Sequence, residues 1–131
     1  MAWYAVLAGC PAAALPVVVA ACRAALEPEF NLLGVATTTG APAMGVLVHG
    51  PVAGRIGMTS AAGGLGTGNA VNAAVGRAVA LALAGIGGAR AGLTDMATIG
   101  SPAKYTCCTA EAPRPLPSLA QRRGSGWTPT R

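Results

Sequence analysis

Hydrophobic positions along the chain come in short runs punctuated by Gly and Pro, and two different periods alternate among them. Residues 2–8, Ala-Trp-Tyr-Ala-Val-Leu-Ala, form an unbroken apolar run closed by Gly9-Cys10-Pro11, which predicts a short buried strand running into a turn. A strand opening at the second residue calls for neighbours, so further chain upstream is expected. From residue 11 or 12 to Leu26 the period changes. Leu15, Val18, Val19, Cys22 and Leu26 recur at helical spacing, Pro11 and Pro16 suit a first turn, and Glu27-Pro28 stops the run. Residues 31–39 read as extended, with a turn at Gly40-Ala41-Pro42. Met44 to Val48, bounded by Gly50-Pro51, predicts a buried strand. A loop with five glycines follows from Gly57 to Gly68. Asn69 then stands as a natural N-cap before Val71, Val75, Ala78, Leu81 and Ala82, predicting a helix over 69–83 that Gly85, Gly87 and Gly88 end. Residues 95–109 read as irregular or extended.

These elements give an α/β class: a small sheet, two main helices at about 11–26 and 69–83, and a Gly-rich loop. The 131 residues allow one domain, placed at 1–111 and expected to be incomplete at its N-terminus. At Ala112 the character changes. Pro113, Pro115 and Pro117 alternate and Gln121-Arg122-Arg123-Gly124-Ser125-Gly126 follows, so 112–131 reads as a disordered Pro/Arg/Gly-rich tail. A reading frame run past a frameshift in a GC-rich gene would produce the same composition.

Composition changes the picture of the core. Apolar residues are 53% of the chain but aromatics only 4%, so the interior is built from Ala, Val, Leu and Ile, and stability rests on close packing. Charged residues, at 10%, fall well below the roughly 25% of an average soluble protein, which points to self-association or a partner subunit. The net charge of +5 does not indicate nucleic acid. Arg114, Arg122, Arg123 and Arg131 lie in the tail, and residues 1–111 set five basic against four acidic side chains, with no basic stripe. Cys10, Cys22, Cys107 and Cys108 lack metal-type or thioredoxin-type spacing and form no secreted disulfide framework, so a reducing cytoplasm is expected. The adjacent pair reads as a buried thiol beside an exposed one. A membrane span is not expected: the uncharged stretch from Met1 to Cys22 is split by Pro11 and Pro16, has no basic n-region, and the stretch 70–88 carries Arg77 at its middle.

The candidate chemistry centres on the strand–loop–helix segment. Glycines free a backbone to present N–H groups, and a helix N-terminus adds a positive dipole end, so Gly64, Gly66, Gly68, Asn69 and Asn72 form a candidate anion-facing set. No Lys follows Gly68, so the phosphate-loop pattern fails, and Asn69 stands where a dinucleotide fingerprint needs its third glycine. The bland reading is a loop that merely caps a helix. Arg77, on an apolar helix, needs a ligand or an internal partner, either Asp95 or Glu111. His49, Lys104 and Tyr105 are the candidate catalytic groups. His49 is the sole histidine, which leaves no His-pair metal site, and no metal or cofactor is assigned. The clusters Thr37-Thr38-Thr39 and Thr98–Thr106 complete the polar inventory.

Taken together, Ala8-Gly9-Cys10-Pro11, Phe30-Asn31-Leu32, His49-Gly50-Pro51, Gly64-Leu65-Gly66-Thr67-Gly68-Asn69, Gly76-Arg77-Ala78, Asp95-Met96-Ala97-Thr98 and Lys104-Tyr105-Thr106 resemble an uncharacterised bacterial protein family loosely associated with UGSC-type (seleno)proteins. The resemblance covers about residues 5–111. It implies a cytoplasmic, enzyme-like protein linked to thiol or selenol chemistry, with an acidic run and Ser-Pro-Trp after the Lys-Tyr segment and Asn where His49 stands. This chain has the basic tail instead of that acidic run. The leading reading is an enzyme-like domain or fragment binding a small anionic or thiol-containing substrate between Gly63 and Arg77. The alternatives are a non-catalytic oligomerising subunit or scaffold, and a truncated product without its own function.

Overall fold

In the computed structural model, which describes residues 1–112, the first apolar run is helical and not extended. Helix α1 (Ala2–Leu7) buries Ala5 and turns Trp3, Val6 and Leu7 outward. Ala and Leu are strong helix formers, Val6 is the only β-branched residue of the run, and no third strand exists among the described residues to pair with it. The second run behaves as read. A 3-10 turn at Ala12–Ala14 leads into α2 (Leu15–Ala25), with Pro16 in its first turn and Val18 and Ala25 buried. Leu26, expected on the inner face, lies just past the helix end and is 73% exposed.

Residues 31–39 also differ from expectation. Asn31 adopts a left-handed backbone and its side-chain oxygen accepts the Gly34 N–H, so it caps a short helix, α3 (Leu32–Ala36). Leu32, Val35 and Ala36 then share the half-buried face. The expected strand from Met44 narrows to β1 (Val46–Val48), of which only Val48 is buried. A short helix, α4 (Pro51–Arg55), follows, and the Gly-rich loop leads to α5 (Ala70–Gly85), which ends two residues later than predicted. The stretch read as irregular holds a one-turn helix, α6 (Pro102–Tyr105), and β2 (Cys108–Ala110).

The strands run parallel, with Val46 opposite Cys108 and Val48 opposite Ala110. Parallel neighbours need a long crossover, and the 48-to-108 connection supplies it through α5. The described residues are therefore α/β, with a two-stranded sheet, six α-helices and α5 at the centre. That helix is buried around most of its circumference, and α1, α2, α6 and β2 all pack on it. Two of its glycines set the contact distances. A methyl group at Gly85 would overlap the ring of Tyr4, and one at Gly76 would come within 2.9 Å of the Cys107 nitrogen. The core it anchors includes Ala14, Val18, Val75 and Ala78, each fully excluded from water, as the composition requires. No helix of the described residues is long and apolar enough to cross a membrane. The tail expected at 112–131 lies, from residue 113 onward, outside the described residues.

Candidate functional site

The Gly-rich loop closes on itself. Gly66 and Gly68 donate their N–H groups to the Gly63 carbonyl at 2.9 and 3.0 Å, and Gly64 donates to Ala61 at 3.1 Å. Asn69 caps α5 by accepting the Asn72 N–H at 2.9 Å, while its amide nitrogen donates to Gly57 at 2.8 Å. Asn72 is fully buried. Its amide nitrogen donates to the Thr59 and Gly64 carbonyls at 2.7 and 2.9 Å, and its oxygen accepts the Thr59 N–H at 3.2 Å. The Thr59 carbonyl also receives the Ala110 N–H and the Thr109 hydroxyl, each at 3.3 Å. Loop, helix start and outer edge of β2 are thus one hydrogen-bonded unit, which engages the N–H groups of Gly64, Gly66, Gly68 and Asn72 and both asparagine side chains.

One turn and a half further along α5 the situation reverses. Arg77 projects into a cleft of about 580 Å3 floored by α5 and walled by α3, residues 42–44 and the segment 89–105. Its guanidinium lies on the ring of Tyr105, 3.9 Å from the centroid, a cation–π contact. Neither carboxylate offered by the sequence pairs with it. Asp95 holds Lys104 instead, with both oxygens within 2.7–2.8 Å of Nζ, and the Ala97 N–H adds a bond at 3.2 Å. The hydrogen bond from Lys104 keeps the Asp95 carboxyl below its ordinary range, against a smaller opposing effect of burial. No buried side-chain nitrogen or oxygen of the described residues lacks a partner, so the free N–H groups of Arg77 are hydrated ones.

The two threonine-rich clusters help build this cleft. Thr98 donates its N–H to the Thr39 carbonyl at 3.2 Å, and the Ser101 hydroxyl donates to Ala41 at 3.4 Å, which fastens the 98–101 segment across the turn after α3. Below them, the Thr106 hydroxyl donates to Ala73 at 2.8 Å and fixes α6 against α5. The structure therefore brings Arg77, Lys104 and Tyr105 together, though Lys104 is already paired. His49 is elsewhere. It sits exposed beyond β1, on a second groove of about 450 Å3 between α2 and β1, and Met44 is the one residue that borders both.

All four cysteines are free thiols. Burial, with smaller contributions from Cys107 and Cys10, pushes the Cys108 thiol up to about 12, and burial also raises Cys10 and Cys22. A buried thiol of that kind is a poor nucleophile. Cys107 is half-buried, somewhat less open than expected. No three His, Cys, Asp or Glu side chains gather among the described residues as a metal site would need. The sequence reading missed the cleft's apolar wall (Leu32, Val35, Met44, Val79, Leu83) and the tie between Asp95 and Lys104. The nine-residue spacing of that ion pair matches no helical or strand period, so no local signal marked it. Set against protein-family models, curated proteins and solved structures, the chain finds no match in any of the three.

Proposed function

We propose that this domain binds a small organic anion in the α5 cleft, with Arg77 as the anchoring charge. The observation that carries this reading is an arginine without a carboxylate partner, held over the Tyr105 ring at a concavity of ligand size. The contact restrains the guanidinium on one side while its N–H donors make no hydrogen bond within the protein, and such donors fork onto a carboxylate or phosphate. The anion expected at the Gly-rich loop is thereby moved to the far end of the same segment, Gly63 to Arg77. Free cysteines suit the reducing cytoplasm expected for such a domain. No group in the cleft selects for a thiol, and no reaction is assigned.

The test is thermal unfolding in a panel of acetate, hexanoate, citrate and inorganic phosphate, for the parent and for Arg77→Ala. At least one anion raises the parent's midpoint by several degrees at saturating concentration, since occupancy at a hundred times Kd stabilises by about 2.7 kcal/mol. The same anion leaves Arg77→Ala unmoved. Equal shifts in both proteins, or none in either, overturn the proposal.

A second reading, the oligomerising subunit, is favoured by the uncharged outer face of α1, where Trp3, Val6 and Leu7 are 69%, 71% and 57% exposed. Sedimentation over a hundredfold range of concentration tests it: a constant monomer mass contradicts it.

A further inference from the structure

The charge and polarity of the cleft say more about the ligand than that it is an anion, and the following rests on the anion reading. Along α5, from Arg77 to Ala84, the floor extends about 10 Å at 1.5 Å per residue. The charged groups of its lining are Arg77, set on the Tyr105 ring, the Asp95–Lys104 pair and Arg90. Leu32, Val35, Met44, Val79 and Leu83 supply the apolar lining; of its two hydroxyls, that of Ser101 is already donated to Ala41 and that of Tyr105 belongs to the ring beneath Arg77. A sugar or nucleotide body would find almost no side-chain partners there, and burying its polar groups unpaired is costly. The charge balance is equally selective. Lys104 and Asp95 neutralise each other, and Arg90 is exposed. What remains is one oriented guanidinium at the end of an apolar trough.

We infer that the ligand is an amphipathic monocarboxylate, its single carboxylate on the edge of Arg77 and an alkyl or aryl body lying along α5 toward Ala84. Met44 closes the trough on the side of the second groove, since it borders both.

Titration calorimetry of the full chain with acetate, butanoate, hexanoate, octanoate and dodecanoate tests this, alongside suberate, 1-octanol and inorganic phosphate. Affinity rises about fourfold per added methylene, the gain expected for burying one CH2, and levels off by dodecanoate. Octanoate binds at least tenfold more tightly than suberate, whose second carboxylate would lie in the apolar end. Arg77→Ala loses tenfold or more for octanoate and nothing for octanol, while Arg55→Ala, at an exposed position of α4, changes neither. Suberate or phosphate equalling octanoate, affinity independent of chain length, or equal losses in Arg55→Ala and Arg77→Ala would each overturn the inference. If phosphate or citrate binds through Arg77 while octanoate gains nothing over acetate, this inference fails and the anion reading stands. If no anion depends on Arg77, both fail.

Discussion

Asn72→Ala is the substitution whose cost the structure defines most fully. The buried amide makes three hydrogen bonds, two to carbonyls and one from the Thr59 N–H, and these join the Gly-rich loop to α5. A net contribution of about 0.5–1.5 kcal/mol per bond gives roughly 1.5–4.5 kcal/mol. The Thr59 carbonyl retains the Ala110 and Thr109 donors, so it is not orphaned, whereas the Thr59 N–H loses its acceptor. We therefore expect a loss of about 3 kcal/mol. With a urea m-value of about 1.5 kcal/mol/M the midpoint falls by about 2 M at unchanged slope. Asn72→Asp adds a pH signature. It turns both donations into oxygen facing oxygen, so burial and the two carbonyls raise the carboxyl in the folded state. Stability is then kept below the unfolded value of about 3.9 and falls by about 1.4 kcal/mol per pH unit above it, until the folded group ionises. Equilibrium unfolding in urea at pH 4 and pH 7 measures both. A midpoint shift below about 0.5 M for Asn72→Ala, or a pH-independent loss for Asn72→Asp, would refute the closing role given to this amide.

Three further outcomes follow from the packing and the titrating groups. The lowered Asp95 carboxyl contributes stability that is present above its unfolded value, near 3.8, and is lost as pH falls through the lower folded value. Lys104→Met removes that contribution, so in urea unfolding parent and variant separate above about pH 4 and converge as pH falls through the lowered folded value. The raised Cys108 thiol works in the opposite sense. Its contribution is complete below the unfolded value of 9.0 and drains away as pH rises toward about 12, so Cys108→Ala flattens the alkaline loss of stability seen by circular dichroism. Gly85→Ala ought to gain up to about 1 kcal/mol of helix propensity, but its methyl overlaps Tyr4, and a net loss of about 1–3 kcal/mol is expected. In a Tyr4→Ala background the same change becomes stabilising; a loss of equal size in both backgrounds contradicts the α1–α5 contact.

The long helix was legible because three independent signals agree on it: Asn69 at the cap, the periodic apolar face, and the glycines after it. β1 was legible from a β-branched run bounded by Gly-Pro. Residues 2–8 carried no such agreement, since an Ala-rich apolar run of that length fits a strand or a helix and only its seat on α5 decides. Asn31 misled in another way. Its capping role requires a left-handed backbone, and the apolar face behind it spans only Leu32 to Ala36, too short to display a period. Within the site, the sequence marked Arg77 by the anomaly of a charge on an apolar helix. It could not pair that charge, because Tyr105 and Asp95 reach the cleft through contacts nonlocal in the chain. The glycines allow the tight closure of the loop around Asn72, and the same composition would mark an anion cradle.

Amide chemical-shift mapping of the 15N-labelled chain during an octanoate titration tests the central claim most directly. The account predicts saturable shifts along Gly76–Ala84 and 97–105, centred on Arg77 and Tyr105, with Gly63–Asn69 unmoved. Shifts centred on Gly63–Asn69, with the Arg77 region unchanged, would contradict it and return the anion to the loop.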